Sequence, residues 1–194
     1  MTRPTRLLAA LTLMVPLLAG CGDSSTRNTE VNPEAGSGDV GISAPEVDLH
    51  TAVISGDTDA VRQHIQAGSD LNVADPFGGS SPLITAATFG RTAIARLLIE
   101  AGADVNFTNA DGATALHSAA FFCRPDIVDA LLDAGIDKYI VNNYGSSAYT
   151  SVAGPFDQVK PFYDAMAATL APMGLTLDYD YLRQTRPAIA AKLQ

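Results

Sequence analysis

Along residues 111–142 the apolar positions fall into two helical patterns separated by small and polar punctuation. Ile127, Val128, Leu131 and Leu132 follow i, i+1, i+4, i+5 spacing, which gathers them into one stripe of a helix. Ahead of them Leu116, Ala119 and Ala120 make a thinner apolar face, on which a second helix can lie close. Gly112 permits a tight turn before that first helix, and Thr114 is placed to cap it near Ala115. Gly135 stands where a helix C-terminus favours a residue with positive φ. The stretch therefore predicts a turn, a short helix, a loop, a second helix and a glycine stop.

The same pattern recurs at a fixed interval. Leu116 stands 33 residues after Leu83 and 33 before Tyr149, and Leu83 stands 34 after Leu49. Gly68, Gly102 and Gly135 keep step, each after an alanine, as do Ala52, Ala86, Ala119 and Val152. Four units follow: 45–75, 76–109, 110–142 and a partial 143–154. The first has a more polar second helix (Asp59, Ala60, Val61, Ile65), as a terminal unit with no covering neighbour requires. The second has Ile94, Leu97, Leu98 and Ile99 as its stripe, and one extra residue in the turn 75–81 accounts for its longer step. In the fourth, Gly154-Pro155 interrupts the first helix, and Pro161 is expected near the start of the next. Val159, Phe162, Tyr163, Met166, Ala167 and Leu170 still share one helical face. Residues 178–194 predict one or two short helices with Pro187 in a first turn, so 155–194 reads as a non-repeat helical C-terminal cap.

A period of 33 in which Ser81-Pro82-Leu83 and Thr114-Ala115-Leu116-His117 open the first helix resembles the ankyrin repeat. The resemblance implies an all-α fold: an ankyrin repeat solenoid of paired helices and β-turn loops, about three to four repeats long. It implies that His50 and His117 hydrogen-bond across adjacent loops, and that Asp104 and Asn106 do so in the Gly-Ala-Asp-Val-Asn loop. It also implies that a protein partner docks on the concave face, on turn tips and on the exposed ends of the first helices. On this chain the tip positions are Phe77, Asp111, Asn143 and Tyr144, and the helix positions are Thr88, Phe89, Phe121 and Phe122. Together the rings would form an aromatic stripe, and buried aromatic anchors dominate interface energies. The alternative is that some rings pack against the next repeat or the cap. Phe121 and Phe122 are the foremost candidates, because adjacent residues of one helix cannot point the same way.

The first residues follow another logic. Arg3 and Arg6 precede an apolar run from Leu7 to Leu18, too short to span a bilayer in the usual way, and Leu18-Ala19-Gly20-Cys21 follows. That ending resembles a bacterial lipobox. It implies that residues 1–20 are a signal peptide and that Cys21 is lipidated, which anchors the chain to the membrane on the periplasmic face of the cell envelope. An ordinary signal peptide with an incidental cysteine, or an uncleaved anchor, are the alternatives. Gly22 favours the outer membrane over the inner in a Gram-negative cell. Residues 21–44 are rich in Gly, Ser, Thr, Asn and Asp and read as a disordered tether.

Charge and chemistry narrow the function. The chain carries 12 Lys and Arg against 21 Asp and Glu, a net of −9, with no basic stripe to displace counterions from a nucleic acid. With Cys21 lipidated, Cys123 stands alone at the loop position where other units carry Gly56 and Gly90, a structural substitution. Nucleophile elbows, zinc motifs and phosphate-binding loops are missing from the sequence. Asp178 and Asp180 are better explained as helix-capping residues than as an acid–base pair. The expectation is a non-enzymatic, monomeric module without cofactor or metal, binding a protein partner in the envelope. An immunity protein or inhibitor that neutralises a secreted toxin or lytic enzyme is the alternative.

Overall fold

The computed structural model describes residues 43–194. The signal peptide, the Cys21 lipidation site and nearly all of the tether lie outside the described residues. The elements are α1 (Leu49–Ser55), α2 (Thr58–Gln66), α3 (Pro82–Phe89), α4 (Thr92–Glu100), α5 (Ala115–Phe121), α6 (Pro125–Asp133), α7 (Thr150–Ala153), α8 (Phe156–Leu170) and α9 (Tyr179–Leu193), with a 3-10 turn at Ala171–Met173 after α8. Among the described residues β structure is limited to one isolated antiparallel bridge, Val141 to Ser147.

Helices pair in sequence and pairs stack. The inner helices α1, α3 and α5 line up side by side, and the outer helices α2, α4 and α6 lie behind them. The inner faces are built from alanine, with Ala52, Ala86, Ala87, Ala119 and Ala120 completely buried, so backbones approach closely. Leu83, Ile94, Leu98, Leu116, Ile127 and Leu131 fill the space between layers and are almost fully buried. Burial of each such side chain stabilises by about 1.5–3 kcal/mol.

Polar side chains fix the register between units. His117 Nε2 donates to Ser146 O at 3.0 Å, and its Nδ1 accepts from Thr114 N at 3.2 Å, closing a capping box at the start of α5. His50 differs in detail: its Nε2 donates to Val73 O at 2.9 Å within its own unit, and its Nδ1 lies 3.3 Å from Thr85 Oγ1 of the next. The loops after the outer helices are tied in the same way. Asn72 Oδ1 accepts from Asp104 N and Asn106 Oδ1 from Asp137 N, both at 2.8 Å.

At the opposite end of each inner helix the chain turns through a left-handed residue. Gly56, Gly90 and Cys123 have φ of 82°, 67° and 52°, and Cys123 is the one non-glycine residue with positive φ among the described residues. Its side chain is fully buried beneath Leu182, and burial pushes the thiol pKa up to about 11. A buried, protonated thiol is inert, consistent with a structural role.

The fourth unit is rearranged rather than merely truncated. α7 has only 4 residues before Gly154 ends it, and α8 is inserted before the chain returns as α9. α9 packs on α7 as the outer helices pack on their inner partners. Lys192 reaches Asp129 of α6 at 2.6 Å from the same side. Two expectations are corrected here. Pro161 lies inside α8, not at its start, and residues 179–193 form one helix with Pro187 in its interior. Both prolines are on exposed flanks. An interior proline costs about 3 kcal/mol, but Leu182, Arg186, Ile189 and Leu193 bury one continuous face of α9 and hold the helix across its proline.

Two predictions follow from these contacts. A Cβ at Gly90 would lie 2.8 Å from Arg124 Nε, whereas at Gly68 it would meet nothing within 4 Å, although both have positive φ. Gly68→Ala is expected to cost about 1 kcal/mol from backbone strain alone, and Gly90→Ala at least about 2 kcal/mol. Urea unfolding midpoints check this, and an equal cost at both sites would mean that Arg124 moves aside freely. The second concerns pH. Burial lowers the pKa of His117 below its ordinary 6.5, outweighing the opposing bond to Ser146. Between the two pKa values the unfolded chain binds a proton that the folded chain does not, so stability is present above pH 6.5 and is lost as pH falls through the native pKa. Thermal unfolding between pH 7.5 and pH 5 should show this slope, and His117→Gln, which retains a donor for Ser146, should flatten it.

Candidate partner-binding face

Each loop between an outer helix and the next inner helix forms a projecting finger, and one side chain organises each finger from within. Asp75 Oδ1 accepts from the backbone N–H groups of Phe77 and Gly78, both at 2.8 Å, and its Oδ2 accepts from Ser80 N at 2.6 Å. Asn109 Oδ1 takes Asp111 N and Ala113 N at 3.0 and 2.9 Å. Asn142 Oδ1 takes Tyr144 N and Ser146 N at 3.1 and 3.0 Å. Partial burial works to raise the Asp75 pKa, but the bonds from Gly78, Phe77 and Ser80 outweigh it and hold the carboxyl below its ordinary value. These three anchors were not singled out from the sequence. Their signal is an Asp or Asn at intervals of 34 and 33, each three residues ahead of a glycine.

The anchors define a common register. Phe77, Asp111 and Tyr144 are each two residues past their anchor, and so occupy the same tip position of three successive fingers. Phe77 is 98% exposed and Tyr144 75%. The Tyr144 hydroxyl donates to Asp111 Oδ1 at 2.9 Å, and this bond to a carboxylate holds the phenol pKa above its ordinary value. Asn143 has a different task. Its N–H bonds Asp111 O and its Nδ2 bonds Ala110 O, both at 2.9 Å, stapling the third finger to the second. Ala110 N donates to Gly78 O at 3.0 Å, so all three fingers are joined edge to edge.

The helix positions divide. Thr88 and Phe89 are half-buried at the end of α3, with the Thr88 hydroxyl turned back onto Ile84 O at 3.0 Å. Phe121 and Phe122 are withdrawn from the expected stripe. Phe122 is only 5% exposed, and Phe121 stacks on Tyr163 of α8 with ring centroids 4.3 Å apart. The physical reason is the inserted α8, which lays Tyr163 over the end of α5. The Tyr163 hydroxyl donates to Phe121 O and receives Arg186 Nη1 at 2.9 Å, while burial raises its pKa to about 12. The aromatic surface therefore divides into exposed finger tips and a ring cluster sealed beneath the C-terminal helices.

Other chemistry is sparse. The described residues contain no group of three or more His, Cys, Asp or Glu placed to hold a metal ion. His64, like His50 and His117, is tied to backbone, with its Nε2 donating to Val47 O at 2.8 Å. Asp178 accepts from Asp180 N and Tyr181 N at 3.0 Å as the N-cap of α9. An open pocket between α7 and α9 is lined in part by Val152, Phe156, Arg183, Arg186 and Ala190, with the Arg186 guanidinium committed to Tyr163 and Gly154 O.

Residues 49–142 match a family model described as ankyrin repeats, in three copies. Among characterised proteins, an ankyrin repeat-containing protein of Schizosaccharomyces pombe is 32% identical over 75 residues, covering 39% of this chain and 36% of that protein. Protein phosphatase 1 regulatory subunit 27 of Homo sapiens is 42% identical over 64 residues, covering 33% and 41%. Among solved structures, the crystal structure of the ankyrin repeat domain of Bcl-3 superposes with a TM-score of 0.51 at 30% identity, covering 53% of this chain and 45% of that one. The chain spans less than half the length of each of these proteins. Residues 49–142 are three ankyrin repeats, and the fold they build is the ankyrin-repeat solenoid.

Proposed function

We propose that this protein is a non-catalytic binding module, held at the bacterial cell envelope through Cys21, that captures a protein partner on its fingers and concave face. Ankyrin repeats are protein-interaction scaffolds, and relatives named as regulatory subunits of protein phosphatase 1 support a binding role. The observation that carries the reading is the pair of solvent-facing rings, Phe77 and Tyr144, at the same tip position of two fingers with Asp111 between them. Large rings left in water and braced by a bonded finger framework are suited to act as anchors, which often contribute 2 kcal/mol or more each. The acidic balance favours a partner with a basic surface, since opposite charge speeds encounter. The lipobox at Leu18–Cys21 supports the envelope placement, and Gly22 favours the outer membrane.

The test is capture from solubilised envelopes with the full chain as bait. Phe77→Ala and Tyr144→Ala should each weaken capture by about 30-fold, the equivalent of 2 kcal/mol, and leave the melting temperature unchanged. Phe122→Ala should behave oppositely, costing about 3–5 kcal/mol of stability as a buried ring is removed. A partner retained by both tip variants would move the surface away from the fingers. A captured toxin or lytic enzyme would identify the module as an inhibitor rather than a scaffold.

A further inference from the structure

The fingers are joined with a fixed polarity. At each junction the later finger donates and the earlier one accepts: Ala110 N–H to Gly78 O at 3.0 Å, and Asn143 N–H to Asp111 O at 2.9 Å. Asn143 adds a second bond, from its Nδ2 to Ala110 O at 2.9 Å. One period on, the counterparts of Ala110 O and Asp111 O are Asn143 O and Tyr144 O, on the outward edge of the third finger. Neither of these carbonyls receives a hydrogen bond from the described residues.

The side chains beside that edge change character as well. Asn72 and Asn106 each accept a backbone N–H from the following unit. Tyr139 stands at that position one period after Asn106, and Val141 stands one period after Thr108. Tyr139 is 75% exposed and Val141 56%, and with Tyr144 they surround the two free carbonyls with apolar surface. A terminal unit that faces only water needs a polar outer side. The helical layers meet this end differently, since α9 packs on both α5 and α7 and seals them. Only the finger edge is left both unpaired and apolar.

The two inner junctions show what fits such an edge: a turn that brings a backbone N–H and an asparagine amide together. A second copy cannot offer its first finger in this way. The donor position there, one residue past Asp75, is Pro76, which has no N–H. We propose that the outward edge of the third finger receives a turn of the protein partner, which donates a backbone N–H to Tyr144 O and a side-chain amide to Asn143 O. Main-chain pairing of this kind supplies affinity, and pockets for the flanking side chains supply selectivity. The partner's turn therefore carries apolar residues that rest on Tyr139 and Val141. The inference deepens the binding reading of the fingers and rests on it, extending the contact from the tips to the flank of the last finger.

The probe is a backbone-cyclised peptide with the residues Ile140 to Ser147, which offers both Asn143 donors in a finger-like turn. The full chain, isotopically labelled, is titrated with this peptide and followed by NMR. Saturable shifts are expected at Tyr139, Val141, Tyr144 and Gly145. Methylating the Asn143 backbone nitrogen of the peptide should weaken binding about tenfold, the equivalent of one hydrogen bond, while methylation at Ser147 should not. Tyr139→Ser in the protein should weaken it too, and Phe77→Ala should leave it unchanged. Absence of shifts at residues 139–145 would overturn the proposal, as would binding indifferent to which nitrogen is methylated. Binding lost with Phe77→Ala but kept with Tyr139→Ser would overturn the edge site and leave the tip surface standing. Shifts at 139–145 that grow with protein concentration alone would overturn it in favour of a second copy. Failure of the binding reading itself is seen separately, in envelope capture that both tip variants retain.

Discussion

Each inner helix of this solenoid ends in backbone carbonyls that it cannot satisfy itself, followed by a chain reversal that leaves those groups facing the next unit. The neighbour supplies the cover. Arg91 donates to Ile54 O at the end of α1, whereas Arg124 only packs against Gly90 at the end of α3, its buried Nε making no hydrogen bond. At the end of α5 two phenols take over, Tyr163 on Phe121 O and Tyr181 on Cys123 O. At the end of α7 the donor is Arg186, on Gly154 O. A helix pair without its neighbour would lose both this cover and its apolar partner. That is why stability in such a stack is shared between adjacent units rather than owned by any one.

The C-terminal segment follows from the same requirement. A further repeat would have supplied an arginine and an alanine-lined inner helix. The chain instead uses α8 and α9, whose Tyr163, Tyr181 and Arg186 perform the capping with side chains that do not recur along the array. Phe121 and Phe122 are buried as a consequence. They lie at the junction where the repeating part of the array gives way to its seal.

Sequence periodicity revealed whatever repeats. Leu83 and Leu116, the alanine-glycine stops and the leucine-histidine positions could be matched to one another, and the placement of Cys123 at a glycine turn followed from that alignment. The fate of Phe121 was not legible in the same way, because its covering ring lies 42 residues on in a segment with no counterpart elsewhere in the chain. Pro161 and Pro187 misled for a related reason. A proline suggests a helix start when only local geometry is considered, but long-range burial along α9 outweighs that preference. At the fingers the exposed tips could be nominated from alignment, while the division of labour between Tyr144, which faces solvent, and Asn143, which staples two fingers, depended on hydrogen bonds across units.

The arginine cover also bears on how such a protein can change length over evolution. The junctions after α1 and after α3 both set an arginine of the following unit against the preceding helix end, although only Arg91 is bonded to a carbonyl there. A duplicated copy of the second unit would therefore meet familiar surfaces on both sides. The junction after α5 offers no such interchange, since its donors come from helices that occur once. The array is open to growth in its middle and closed to it at its C-terminal end, so the two tyrosines and Arg186 act as a fixed terminus for an otherwise extensible chain.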